Sequence, residues 1–145
     1  MKILVLAVGK VKDRPLRDAT DEYLKRVGRY VAIEEVEIAD GPRDKVRAGF
    51  EKAAREATLV ALEVNGQALS SEAFARLIER LGARGKGTIA FLIGGADGLP
   101  PDLSAAAHAR ISLSSLTFPH RLARLVLVEQ IYRAMTILRG EPYAH

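Results

Sequence analysis

Five short, largely apolar runs alternate with helical patterns along this chain, and that alternation constrains the fold more than any other feature. They are KILVLAV at 2–8, AIEEVEI at 32–38, TLVALEV at 58–64, TIAFLIG at 88–94 and RISLS at 110–114. A continuous apolar run closed by glycine, as KILVLAV is by Gly9, is the pattern of a strand covered on both faces, as strands of parallel sheets are. Residues 15–30 place Leu16, Ala19, Tyr23, Leu24 and Val27 on one helical side, with Pro15 suited to a first turn. Residues 43–57 turn Val46, Phe50 and Ala53 or Ala54 inward, and 71–82 carry Phe74, Leu77, Ile78 and Leu81 at helical spacing. Strands alternating with helices give βαβ units, right-handed crossovers and a mostly parallel sheet flanked by helices, so the fold class is α/β.

Asn65-Gly66 and Gly85-Lys86-Gly87 read as turns, and Pro100-Pro101 starts a short helix through Ala107. No repeat, low-complexity tract or linker interrupts the pattern, and 145 residues suit a single domain over 1–145. The last helix, about 119–138, differs from the others because LARLVLVEQIYRAMTIL is apolar around most of its circumference. Such a helix must be covered on more than one face. In so small a domain this points to a second subunit, with deep burial in the chain's own core as the alternative.

Composition narrows the chemistry. The absence of cysteine removes disulfides, thiolate nucleophiles and Cys-based zinc sites together. His108, His120 and His145 are the only imidazoles and none pairs at a ligand spacing, so no metal is expected. The first residues, MKILVLAVGK, are too short an apolar run for a signal peptide, and no segment approaches a membrane span, so the expected location is cytoplasmic. Residues 1–30 hold eight Lys and Arg against four Asp and Glu, 31–106 nine against twelve, and 107–145 five against two. Basic ends suit a polyanionic partner, although ordinary solvated helix faces would look the same.

Two segments nominate a ligand site. GGADG at 94–98 follows directly on a buried strand, at the carboxyl edge of a parallel sheet where ligands collect. Neither GxxxxGK[ST] nor, after the first strand, GxGxxG is present, which excludes the common nucleotide loops. SLSSLTFPH at 112–120 offers backbone polar groups, small hydroxyl residues and the apolar walls Leu116 and Phe118 for a heterocycle. The plain alternatives are a tight strand-to-helix turn at the glycines and a helix cap at Thr117 with Pro119 in the first turn.

FLIGGADGL, SLSSLTFPHRLARLVLVEQIYRA and the terminal RGEPYAH, with KILVLAVGK and VALEVNGQ earlier, together resemble the RlmH family of SPOUT-class methyltransferases. The resemblance covers nearly the whole chain. It implies a trefoil knot in the C-terminal part, a homodimer through the terminal helix, and S-adenosylmethionine bound in bent form within the knot. It also implies methylation of N3 of a pseudouridine in large-subunit (23S) ribosomal RNA on the assembled 70S ribosome. Leu62, Gly94 or Gly95, and the loop of Ser114, Ser115, Leu116, Thr117, Phe118 and Pro119 match the family's cofactor-contacting positions. In that reading the glycines yield room for the cofactor and the later loop grips the adenine.

His120, Arg124, Glu129, Arg133 and Tyr143 match family positions that bear on removal of the imide proton. Arg124 is expected to face the site and Glu129 to be structural, pairing with one of the two arginines so that no charge is left alone on an apolar helix. Tyr143 is a candidate contact for the target base. The tail departs from the family's Pro-Tyr-His ending: Ala144 stands at the usual histidine position and His145 one place later. His145 therefore substitutes only if a shifted backbone carries it to the same point, and the base is assigned to neither. Lys10, Lys12, Arg14 and Arg17 are candidate phosphate contacts. Two other readings compete: a SPOUT enzyme acting on transfer RNA, and a non-catalytic ribosome- or ligand-binding α/β module, which only the altered tail favours.

Overall fold

In the computed structural model, which describes residues 1–143, the five runs form one five-stranded sheet. The elements in chain order are β1 (Lys2–Val8), α1 (Arg14–Val27), β2 (Ala32–Ile38), α2 (Arg43–Ala54), β3 (Thr58–Ala68), α3 (Ser71–Gly82), β4 (Thr88–Ile93), α4 (Pro101–Ala106), β5 (Ala109–Ser112) and α5 (His120–Arg139). The strand order is β2-β1-β4-β3-β5 and every pairing is parallel. Inner strands β1 and β4 are almost wholly buried, while the edge strand β2 carries Glu34, Glu35 and Glu37, which is why only the former read as unbroken apolar runs.

The period of two along each strand divides the core into two layers. Ile3, Val5 and Ala7 of β1, with Ile89, Phe91 and Ile93 of β4, pack under α1, α3 and α5. Leu4, Leu6 and Val8, with Ala90 and Leu92, pack under Val46 and Phe50 of α2 and Leu103 of α4. Local signals set the helix starts: Asp13 accepts a hydrogen bond from the Leu16 amide at 3.0 Å ahead of Pro15, and Ser70 accepts one from the Ala73 amide at 3.0 Å. By contrast α5 begins after Pro119 with no side-chain cap, so Thr117 does not cap it. Leu127, Val128, Ile131, Ala134 and Met135 of α5 are buried against the sheet layer, and Leu122, Leu125 and Val126 remain half-buried.

The expected turn at Asn65-Gly66 is corrected by the structure. Both residues lie within β3, whose pairing with β5 jumps from Leu62 to Gln67, each opposite Ile111. Residues 63–66 are thus looped out of the ladder as a long bulge, and the strand resumes. The strand needs glycine there because a Cβ on Gly66 would stand 2.7 Å from the Ile111 carbonyl carbon. No helix among the described residues is long and apolar enough to cross a membrane.

Candidate active site

At the carboxyl ends of β3, β4 and β5 the loops enclose a cleft of about 440 Å³, within the range of small-molecule sites. Three segments build it. The β3 bulge supplies Leu62, Glu63 and Val64; the loop after β4 supplies Gly94, Gly95 and Gly98; the segment after β5 supplies Ser114, Leu116, Phe118 and Pro119, followed by His120 of α5. A wider groove of about 750 Å³ lies elsewhere, reaching Lys2 and Thr88 at the amino ends of β1 and β4. Ligands of open parallel sheets bind at the carboxyl ends, so the smaller cleft is the candidate site.

The glycine loop is a tight reversal, in which the Gly98 amide donates to the Gly95 carbonyl at 3.0 Å. A Cβ on Gly94 would lie 2.4 Å from the Gly98 carbonyl carbon, so the returning backbone itself requires this glycine. The later loop is organised by its serines: the Ser112 hydroxyl donates to the Ser114 carbonyl at 2.8 Å, and the Ser114 hydroxyl accepts from the Leu116 amide at 2.9 Å. That turn holds Leu116 outward, 72% exposed, at the rim of the cleft. Val64 is the second large exposed apolar residue at the same rim. Ser115 and Thr117 belong to this loop but do not line the cleft.

The cleft has few charged groups. Among the described residues Glu63 is the only carboxylate that lines it, and its Oε2 accepts a 2.6 Å hydrogen bond from the buried Ser104 hydroxyl. Burial, and then the neighbouring Arg121 and Arg124, push the His120 imidazole below its ordinary value, which favours the neutral ring near pH 7. Among the described residues no group of three or more His, Asp or Glu side chains could hold a metal ion.

Arg124, expected to face the site, does not line the cleft and is 1% exposed. Its Nη1 donates to Glu37 at 2.7 Å and Glu35 at 3.1 Å, and its Nη2 to the Gly9 carbonyl at 3.1 Å. Arg17 joins the same carboxylates, 2.6 Å from Glu35, and Glu37 also accepts from the Val11 amide. The network ties α1, β2, α5 and the loop after β1 into one unit beside the cleft, and it engages Arg17 that was a phosphate candidate. Lys10, Lys12 and Arg14 are exposed and form no ion pair among the described residues.

Glu129 pairs with Arg133 at 2.7 Å within α5 and accepts a 2.9 Å hydrogen bond from the Tyr143 hydroxyl. Tyr143 therefore lies along α5, edge-on to Tyr132 at 4.9 Å between centroids and under the Arg133 guanidinium. Burial and the hydrogen bonds to Tyr23 and Glu129 hold its phenol well above the ordinary value. Ala144 and the candidate His145 lie outside the described residues. Sequence reasoning missed Glu63 and Val64, whose looped-out positions depend on pairing with β5.

Comparison with known proteins places this geometry. A family model described as "Predicted SPOUT methyltransferase" matches residues 1–145. Over its full length the chain is 67% identical to the whole of a ribosomal RNA large subunit methyltransferase H of Sorangium cellulosum. It is 47% identical to a protein of that name from Anaeromyxobacter dehalogenans, and 39% to one from Clostridium beijerinckii, with 99% of each chain covered in both. A probable methyltransferase from Bordetella pertussis Tohama I shares the fold at TM-score 0.60 and 13% identity, over 92% of this chain and 93% of that one. The all-parallel sheet, the carboxyl-edge cleft and full-length identity to these relatives together place the chain in the SPOUT methyltransferase family, among the ribosomal RNA large subunit methyltransferases H.

Proposed function

We propose that the chain transfers a methyl group from S-adenosylmethionine to N3 of a pseudouridine in 23S ribosomal RNA. In this reading it acts in the cytoplasm as a homodimer, on the assembled 70S ribosome. The observation that carries the reading is the cleft of Leu62, the 94–98 loop and the 112–119 loop, in a chain so close to its curated relatives. The residues fit the cofactor: apolar walls at Leu62, Leu116 and Phe118 suit an adenine, and backbone groups of the 112–119 loop suit its polar edge. Leu116 and Val64 are largely exposed, so a bound heterocycle removes apolar surface from water at the rim.

When bound, S-adenosylmethionine supplies a methyl group on an electrophilic sulfonium. The chain's own task is alignment, because in-line transfer requires the acceptor nitrogen opposite the sulfur. His120, neutral and at the edge of the cleft, is placed to take the imide proton. Arg124 acts as a positioning residue, holding the start of α5 against Gly9 and β2. Exposed Lys10, Lys12 and Arg14 suit phosphate contacts that orient RNA without reading it.

A dimer would cover the half-buried Leu122, Leu125 and Val126 of α5. A trefoil knot also belongs to this reading. It is supported by the path of the 112–119 segment from the β5 edge across the strand ends to α5, whose Arg124 meets β1 and β2 at the far side. The test is transfer of labelled methyl to 70S ribosomes lacking the mark, with free large-subunit RNA and transfer RNA in parallel. The reading expects label on ribosomes, mapped to N3 of a pseudouridine; label on transfer RNA alone, or on none, would overturn it.

A further inference from the structure

Glu63 is unexplained by the matched cofactor positions, yet it is the only carboxylate among the described residues lining the cleft. It reaches the cleft because residues 63–66 are looped out of the β3 ladder beside the three-residue register of Val60, Ala61 and Leu62 with β5. Its position is held by a buried partner. Ser104 of α4 is 5% exposed and donates to Glu63 Oε2 at 2.6 Å, while the Ser104 carbonyl accepts from Arg110 of β5 at 3.1 Å. Those two bonds lock α4, β5 and the bulge together and fix one carboxylate oxygen. Glu63 makes no other hydrogen bond or ion pair among the described residues, which leaves Oε1 to a ligand.

The charge balance of the cleft indicates what that ligand group is. Apart from the Ser112 and Ser114 hydroxyls and the His120 ring, the described walls around Glu63 are aliphatic, aromatic or glycine, so its carboxylate is the one anionic side chain that a positively charged ligand group meets there. S-adenosylmethionine and its demethylated product, S-adenosylhomocysteine, share adenine, ribose, ammonium and carboxylate. They differ in the methyl and in the positive charge on sulfur. Resting on the methyltransferase reading above, we propose that Glu63, clamped by Ser104, selects the sulfonium donor over the neutral thioether product. The residue then sets specificity between cofactor states: the spent cofactor loses an attraction at the moment the methyl leaves, which promotes its release.

Calorimetric titration of the full chain with S-adenosylmethionine and S-adenosylhomocysteine tests this. Glu63→Gln is the informative variant, because its amide oxygen still accepts from Ser104 and the clip between α4 and β3 survives. The expected result is a loss of about tenfold in affinity for the sulfonium ligand, the scale of one charge-assisted contact, with less than about twofold loss for the thioether. Ser104→Ala, which frees the carboxylate to rotate, should lose part of the same preference while an unchanged melting temperature of Glu63→Gln shows the fold intact. Equal losses for both ligands would overturn the proposal and make Glu63 a contact to a shared group. No loss for either would overturn it and leave a structural clip. A wild-type chain that binds neither ligand would overturn the methyltransferase reading and this proposal with it, an outcome separate from the other two.

Discussion

Replacing Arg124 by methionine separates a structural from a catalytic arginine. The guanidinium is 1% exposed and makes close bonds to Glu37 at 2.7 Å, Glu35 at 3.1 Å and the Gly9 carbonyl at 3.1 Å. Removing one partner of a buried ion pair costs about 3–5 kcal/mol, because the remaining charge stays desolvated. Two features reduce that figure here. Glu35 keeps Arg17 at 2.6 Å, and the Glu37 side chain, 31% exposed, can recover water. A net loss of about 3 kcal/mol follows, with Tm lowered by roughly 6–12 °C for a chain of this size. Urea unfolding at fixed protein concentration measures the loss, and a double-mutant cycle with Glu37→Gln should return a coupling above about 1 kcal/mol. A loss under about 1 kcal/mol with methyl transfer abolished would refute the reasoning and make Arg124 a participant in the chemistry.

Further outcomes follow from the loops and the titrating groups. Gly94→Ala drives a Cβ to 2.4 Å from the Gly98 carbonyl carbon, so the 94–98 loop must move, and affinity for S-adenosylmethionine should fall by roughly tenfold or more. Gly66→Ala meets the Ile111 backbone at 2.7 Å and should destabilise by about 1–3 kcal/mol in denaturant while leaving the glycine loop intact. Because the folded state depresses the His120 value, its contribution to stability is full above the ordinary 6.5 and is lost as pH falls below it; His120→Gln should remove that acid-side slope from the melting profile.

The strands and helices were legible because each obeys one period. The spacing of Phe74, Leu77, Ile78 and Leu81 marks α3 (Ser71–Gly82) without help from the rest of the chain, and the buried strands β1 and β4 read as apolar runs because both their faces are covered. The site was legible where a loop's composition carried it: Gly94, Gly95, Leu116, Phe118 and Pro119 all line the cleft. What failed to show depends on distant partners. Arg124 meets carboxylates 87 and 89 residues away on the edge strand, and no local pattern on an apolar helix indicates whether an arginine points to a ligand or to a distant glutamate. Asn65-Gly66 has the composition of a turn and becomes a bulge only because β5 resumes pairing at Gln67, which carries Glu63 into view of the cleft.

Hydrogen exchange with and without S-adenosylmethionine tests the central claim most directly, since it locates the ligand on the whole chain at once. The account predicts slowed exchange of amides at 62–66, 94–99 and 112–120, the segments that enclose the cleft. Protection confined instead to the groove lined by Lys2, Val36, Lys52 and Thr88 would contradict it, and would move the cofactor to the groove between β2 and α2.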